Sequence, residues 1–423
     1  MINEEIVEYF SKNCDDRGIP EISFDGWQNL ITTYEKDDIR NALAEYVHRN
    51  NIPFPIKRIH KDDFGNLFIR FCMKSHLPLY KEFDDVQERY DYKYKYSDKP
   101  LGVIDKTHAF NDVSDYFQQE NRMKCGSNAS LAPMEIWNDK DNLSRMNWIF
   151  WRNGVMEDSG VNEKTFRSSF RLGTYTATQF KPSVAKAIYE KHEAVNVLDT
   201  SCGWGDRLAG FYATPSTKIY VGCDPNPEVF EVYKKQCIAY EELLGATPVL
   251  TESEDYFECV GKKTVKIWRK PCEDVNWDLY INTFDLYFTS PPYFDTETYG
   301  TTTDKTEDQS WSRYNSFDAW KYNFFFKVTD LVWKTIKSDG YMMINIIEPR
   351  SRRGVRLKLC DDMVETFESF EGSNYIGKIG MRMVARPNTQ ELNSVFIEPV
   401  WVFRKNNSSY IDDDKLTIED FLN

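Results

Sequence analysis

The chain has little of what would place it in a membrane, an oxidising compartment or a metalloenzyme class. It contains no run of about 18 apolar residues, so no transmembrane helix is expected. Its first residues, Met1-Ile2-Asn3-Glu4-Glu5, are acidic and lack an apolar signal core. Nine cysteines are scattered without a Cys-x-x-Cys pair, and an odd, unspaced set argues for reduced thiols in a cytosol. The five histidines, His48, His60, His76, His108 and His192, stand singly, and no metal site can be assembled from their spacing. Basic residues are in deficit: 53 Lys and Arg against 67 Asp and Glu leave a net charge of −14. A polyanion therefore meets no general attraction, and phosphate contacts must come from a local patch or a substrate other than a long duplex.

What is present is more specific. Hydrophobic residues at 41% are ample for packed cores, and 423 residues point to two domains rather than one. The apolar run Phe284-Asp285-Leu286-Tyr287-Phe288 reads as a buried strand and leads into Thr289-Ser290-Pro291-Pro292-Tyr293. Pro291 and Pro292 fix φ and carry no N–H, so this strand end offers carbonyl acceptors without competing donors. Tyr293 adds a flat ring beside them. Such a pocket suits a planar group with an exocyclic amine, above all a nucleobase whose NH2 is to be alkylated. About ninety residues earlier, the strand Val195–Leu198 is followed by Asp199-Thr200-Ser201-Cys202-Gly203-Trp204-Gly205-Asp206-Arg207, a glycine-bearing loop that opens a helix. A further strand, Ile219–Cys223, ends in Asp224, where an acid is placed to bind ribose hydroxyls. Loop, acid and Pro-Pro-Tyr strand end, in this order, make a far stronger signal than the glycines alone.

From about Phe170 to Phe403 the chain resembles S-adenosylmethionine-dependent DNA methyltransferases that modify base amino groups. The resemblance implies a Rossmann-like, doubly wound α/β methyltransferase sheet with an antiparallel C-terminal strand pair. It implies that Asp199, Ser201, Gly203 and Gly205 cradle the methionine half of S-adenosylmethionine and that Asp224 binds its ribose. Phe180 and Lys181 match the segment that closes over the methionine end, and Glu273 or Asp274 would hold the adenine amine. Ser290, Pro291, Pro292 and Tyr293 would be the catalytic set. A tetrad beginning with Ser is similar to the cytosine-N4 enzymes; adenine-N6 enzymes usually begin it with Asp or Asn. The Ser-Cys-Gly-Trp-Gly-Asp-Arg flavour of the loop is similar to methylase-like proteins of phages and large viruses. The implied setting is DNA methylation in a cytoplasm, a host's if the chain is viral, with nucleic acid as partner, no membrane and restriction-modification as context. Alternatives are an adenine-N6 enzyme, a methyltransferase acting on RNA, a nucleotide or a protein amide, and an inactive binding module of the same fold.

Residues 166–423 are expected to form the methyltransferase domain and residues 1–165 a mixed α/β accessory domain for target or partner recognition. Lys181–His192, Pro227–Leu244 and Phe317–Lys337 read as helices, the last ended by Ser338-Asp339-Gly340. Thr264–Trp268, Tyr341–Ile347, Ile376–Val384 and Glu398–Arg404 read as strands, the last two as an antiparallel pair. The basic run from Arg350 through Arg352, Arg353 and Arg356 to Lys358 follows a strand and would touch nucleic acid at the sheet's carboxyl edge. The polar stretch Asp295–Asp304 reads as a lid. Pro271-Cys272 echoes a cytosine-C5 nucleophile, but the adjacent Glu273 and Asp274 disfavour a thiolate, so Cys272 reads as structural. In the N-terminal region, Asp37–Asn50 is an amphipathic helix, and the alternation Arg89-Tyr90-Asp91-Tyr92-Lys93-Tyr94-Lys95-Tyr96 is a strand with a tyrosine face.

Overall fold

The computed structural model describes residues 2–83, 86–88, 93–96, 100–105, 108–127, 129–146, 160–299, 309–351, 355–383 and 395–406. The chain divides into two compact units. The smaller comprises Met1–Ile59, Gln119–Thr178 and Glu297–Asp304; the larger comprises His60–Gln118, Gln179–Thr296 and Lys305–Asn423.

The larger unit is organised by one sheet. Its principal strands are β1 (Asn196–Asp199), β2 (Ile219–Cys223), β3 (Thr264–Trp268), β4 (Phe284–Thr289), β5 (Ile336–Asn345), β6 (Ser373–Arg382) and β7 (Val395–Lys405). Strands β3, β2, β1, β4 and β5 are parallel neighbours in that order, β7 runs antiparallel beside β5, and β6 pairs antiparallel with β7. This is the open, doubly wound α/β arrangement with an antiparallel C-terminal pair that the sequence predicts. The inner strands read as continuous apolar runs because both of their faces are covered: Val197, Leu198, Leu286 and Phe288 are fully buried. Three helices concern the site: α1 (Pro182–Lys191), α2 (Asp206–Ala213) and α3 (Pro227–Leu243). Pro182 and Pro227 occupy the first positions of α1 and α3, where no N–H is needed.

The division of the chain differs from a single boundary at residue 165. Gly102–Ile104 adds parallel to β6, Tyr80–Lys81 pairs with Gly102–Ile104, and Val86–Glu88 runs parallel to the start of β7. These short strands satisfy backbone groups that the outer strands would otherwise leave unpaired, so residues 60–118 belong to the larger unit. Conversely, the helix Glu163–Gly173 places Phe166 and Phe170 in the core of the smaller unit. Among its described residues that unit is helical, apart from a two-residue strand pair, Glu297–Thr298 with Gly126–Ser127. The amphipathic helix expected near Asp37–Asn50 spans Lys36–Arg49 and buries Ile39, Leu43, Tyr46 and Val47.

Two further elements depart from expectation. The helix begun at Phe317 ends at Trp333, with a wider π turn over Trp320–Phe326, and Ser338-Asp339-Gly340 lies inside β5 rather than stopping a helix. Of the tyrosine alternation, residues 89–92 lie outside the described residues. Tyr94 and Tyr96 are not on a strand; they pack edge-on against Trp401 and Tyr375 at ring separations of 5.0 and 5.5 Å. Both rings therefore serve the core of the larger unit. Among the described residues, no helix is long and apolar enough to cross a membrane, and no group of three or more His, Cys, Asp or Glu could hold a metal ion.

Candidate functional site

The strand order reverses at β1, which has β2 on one side and β4 on the other. In open α/β sheets the crevice outside the carboxyl ends of such strands is where ligands bind. Asp199, Asp224, Glu273 and Ser290 all lie at or just beyond the carboxyl ends of β1, β2, β3 and β4. The four segments singled out from the sequence thus share one edge.

Asp199 is the hub that joins them. Its carboxylate is fully buried and accepts five hydrogen bonds: from Ser201 N at 3.1 Å, Arg207 Nε at 2.7 Å, Arg207 Nη2 at 3.2 Å, the Tyr220 hydroxyl at 2.7 Å and the Thr289 hydroxyl at 3.0 Å. Burial alone would weaken the Arg207 charge, but the Asp199 carboxylate beside it holds the guanidinium protonated well beyond its usual range. The Phe180 and Phe288 rings form an edge-to-face pair with centroids 5.6 Å apart, and the Arg207 guanidinium lies 5.4 Å from the Phe180 ring centroid. Asp199, which the resemblance assigns to the cofactor loop, pins that loop, α2 and the end of β4 to one another. Arg207, Tyr220 and Thr289 are its partners, and the first of these sits two residues past Gly205 in the stretch already singled out.

The loop itself needs its glycines. Gly203 and Gly205 have φ of +59° and +70°, a left-handed conformation that side chains disfavour. A Cβ on Gly205 would also stand 2.4 Å from the Gln236 side chain. Gly205→Ala is accordingly expected to lower the free energy of unfolding by about 2 kcal/mol, read by urea denaturation. A Cβ on Gly203 would meet only the Ser201 carbonyl, at 3.7 Å, so the space beside this residue is open. Lys181 precedes α1, and its carbonyl accepts from Val184 and Ala185.

Asp224 faces the loop from the end of β2. Its carboxylate accepts from Gly203 N at 3.1 Å, Asn226 N at 3.0 Å and the Tyr233 hydroxyl at 3.1 Å. A carboxylate has about four lone-pair directions, so capacity for a further donor remains. Burial pushes its pKa up to about 6 against the opposing effect of these three donors. Beyond β3, the side chains of Glu273 and Asp274 are 5% and 47% exposed, and Arg313 bridges both at 2.9 and 3.0 Å. Burial raises the Glu273 carboxyl above its usual range, with Arg313 opposing. Cys272 is buried in the core with its thiol 3.8 Å from Glu273 Oε2, which fits a structural residue.

At the end of β4, Ser290 Oγ donates to Asn345 Oδ1 at 3.3 Å, and the Tyr293 hydroxyl donates to Glu398 Oε1 at 3.2 Å. Asn345 and Glu398 escaped the sequence reading. The available signal was a lone polar residue inside each of two apolar strands, Met342-Met343-Ile344-Asn345-Ile346 and Phe396-Ile397-Glu398-Pro399-Val400. The basic run follows β5, with Arg350 and Arg356 joined by an antiparallel bridge and Arg350 exposed; Arg352 and Arg353 lie outside the described residues. Of the expected lid, Glu297 is held by the hydroxyls of Tyr175 and Tyr299 within the smaller unit, and residues 300–308 lie outside the described residues.

No protein-family model matches the chain, and no curated protein matches it. Similar solved structures include the 1,6-didemethyltoxoflavin-N1-methyltransferase of Burkholderia thailandensis with S-adenosylhomocysteine bound, 14% identical over 53% of this chain and 78% of its own, at a TM-score of 0.31. The N-methyltransferase NodS of Bradyrhizobium japonicum is 10% identical over 51% of this chain and 87% of its own, at 0.29. Trm1 of Pyrococcus horikoshii in complex with S-adenosyl-L-methionine is 12% identical over 55% of this chain and 58% of its own, at 0.30. The fold itself rests on the chain's own strand order: a Rossmann-like sheet running β3-β2-β1-β4-β5-β7-β6, with the loop after β1 and the Ser290 strand end side by side at its switch point.

Proposed function

We propose that the larger unit transfers a methyl group from S-adenosylmethionine to the exocyclic amine of a nucleobase, with cytosine N4 in DNA as the leading target. One observation carries this reading: Thr289, adjoining Ser290, is hydrogen-bonded to Asp199 at 3.0 Å, so the amine pocket and the glycine loop are fixed to one another by a single buried carboxylate. The residues present suit the cofactor. The open space at Gly203 would admit close approach, Asp224 keeps acceptor capacity that ribose hydroxyls would use, Glu273 or Asp274 would accept from the adenine amine, and Phe180 and Lys181 would close over the methionine end. When bound, S-adenosylmethionine supplies an electrophilic methyl on a sulfonium.

The chain's own part is to orient the amine. An aryl amine is a poor nucleophile because its lone pair delocalises into the ring. Ser290 already donates its hydroxyl hydrogen to Asn345, so its oxygen lone pairs face the pocket as acceptors. Together with the Pro291 carbonyl they accept the amine's two hydrogens and turn its lone pair out of the ring plane. Tyr293, fixed through its hydroxyl, stacks on the base, and Pro292 keeps this corner of backbone rigid. Alignment of the reactants would then supply most of the rate without a strong base; transfer would leave the cofactor as the neutral thioether, and the methylated amine would lose its surplus proton to solvent. In duplex DNA the base is first flipped from the stack. Exposed Arg350, with Arg352, Arg353 and Arg356 of the same basic run in the sequence, supplies the local phosphate contact that an acidic chain needs.

The cofactor half of the reading carries a pH signature. Ribose hydroxyls donate to the ionised Asp224, whose pKa stands at about 6 before binding. Protonation removes an acceptor, so affinity is full above that pH and weakens as pH falls through it. Titration calorimetry is expected to give a constant Kd between pH 7 and 8.5 and roughly tenfold weaker binding per pH unit below 6. Asp224→Asn is expected to bind about 10–100-fold more weakly at pH 7.5 and to lose this dependence. An unchanged pH profile in that variant would remove Asp224 from the site. The acceptor half is tested by offering DNA and RNA from a methylase-free host with tritiated S-adenosylmethionine: label on cytosine N4 supports the leading target, label on adenine N6 or on RNA alone replaces it, and no label sinks the reading.

A further inference from the structure

We propose that Asn345 and Glu398 are positioning residues that fix the direction of the Ser290 hydroxyl; this rests on the reading of Ser290 as an acceptor for the substrate amine. Asn345 is the last residue of β5 and is 3% exposed. Its amide is oriented by two acceptors on the nitrogen side: Nδ2 donates to the Pro399 carbonyl at 3.0 Å and to Glu398 Oε1 at 3.3 Å. A reversed amide would set its oxygen against both of those oxygens. Oδ1 is therefore left facing Ser290, and a hydroxyl with an acceptor in front of it points its hydrogen there. Without Asn345, the Ser290 rotor is free to aim that hydrogen into the pocket, where it opposes the amine hydrogens it should receive.

The sheet register explains why these two residues meet. Asn345 lies opposite Val400 in the antiparallel β5–β7 pair, and Glu398, two residues along β7, shares the face of Val400. Glu398 Oε1 also accepts from the Tyr293 hydroxyl at 3.2 Å. One carboxylate thus restrains both ends of the Ser290-to-Tyr293 tetrad, the first through Asn345 and the second directly. A polar residue held this way inside two apolar strands is costly to bury unless every group is paired, and its amide is paired on both sides.

The test is steady-state methyl transfer to DNA and RNA from a methylase-free host. Asn345→Ala is expected to lower kcat about 30-fold, with the KM for S-adenosylmethionine within about twofold of wild type. Because it acts through Ser290, adding it to Ser290→Ala should slow that variant no further than about twofold. Glu398→Leu should lower kcat to a similar extent, and Glu398→Gln, which keeps an acceptor oxygen, should recover about tenfold of that loss. Thermal unfolding confirms that each variant is folded, and the two Glu398 variants carry the test if Asn345→Ala is not. Fully additive losses with Ser290→Ala, an unchanged kcat, or equal losses in Glu398→Gln and Glu398→Leu would overturn the proposal while leaving the amine reading intact. A wild-type protein that labels no nucleic acid overturns the amine reading and this proposal with it.

Discussion

Ser290→Ala is expected to reduce kcat by about 10²–10³-fold while S-adenosylmethionine binds within about twofold of wild type. Among the described residues, the Ser290 hydroxyl bonds to Asn345 and makes no hydrogen bond to the glycine loop or to Asp224. Its removal therefore leaves the cofactor edge alone and, on the proposed function, would delete a preorganised acceptor for the reacting amine. The size follows from what one such group contributes in a water-excluded site, where it needs no reorganisation when charge develops. Thr289, one residue earlier, behaves differently. Its hydroxyl bonds to Asp199, so its loss disturbs loop and strand end together and lowers both cofactor affinity and turnover. Single-turnover rates beside calorimetric affinities separate the two patterns. Comparable loss of cofactor affinity in Ser290→Ala would contradict the division of roles.

The largest effect on stability is expected at Arg207. Arg207→Met keeps the volume of the side chain but leaves the fully buried Asp199 without its cation, and breaking a buried pair in this way typically costs about 3–5 kcal/mol. Ser201 N, Tyr220 and Thr289 still donate to the carboxylate, which places the expected loss near the lower end, about 3 kcal/mol in urea unfolding. Replacing both charges at once, Asp199→Asn with Arg207→Met, should be less damaging than the sum of the single variants, because no unpaired charge remains. Additive losses would show that the pair is not the element joining loop, α2 and β4.

These expectations explain what was legible in the sequence. The apolar runs of β1, β2, β3 and β4 announced themselves because strands covered on both faces carry little else, and the polar residue ending each run marked the carboxyl edge. Gly203 and Gly205 were legible because their positive φ leaves few alternatives. The two roles within the acids were not. Asp199 and Asp224 are alike in sequence, and only the approach of Arg207, eight residues on, makes the first a buried ion pair while the second accepts from Gly203 N, Asn226 N and the Tyr233 hydroxyl. Glu273 and Asp274 are equivalent as sequence neighbours, and only the packing that leaves their side chains 5% and 47% exposed tells them apart. Asn345 and Glu398 depended on the β5–β7 register, a pairing distant in sequence that local pattern does not encode. The same is true of residues 80–104, whose short strands take their place only because β6 and β7 present edges to them. The helix from Phe317 stops at Trp333, short of the sequence expectation, because Ile336 and the residues after it continue an apolar pattern that β5 uses for strand pairing instead.

The central claim is that the Ser290 strand end presents a base amine for methylation, and the most direct measurement is mass spectrometry of nucleosides from DNA of a methylase-free host expressing the chain. The account predicts N4-methylcytosine with the wild-type protein and its disappearance with Ser290→Ala expressed at the same level. N4-methylcytosine persisting in the variant, or a methyl group on a ring carbon instead of an amine, would contradict it.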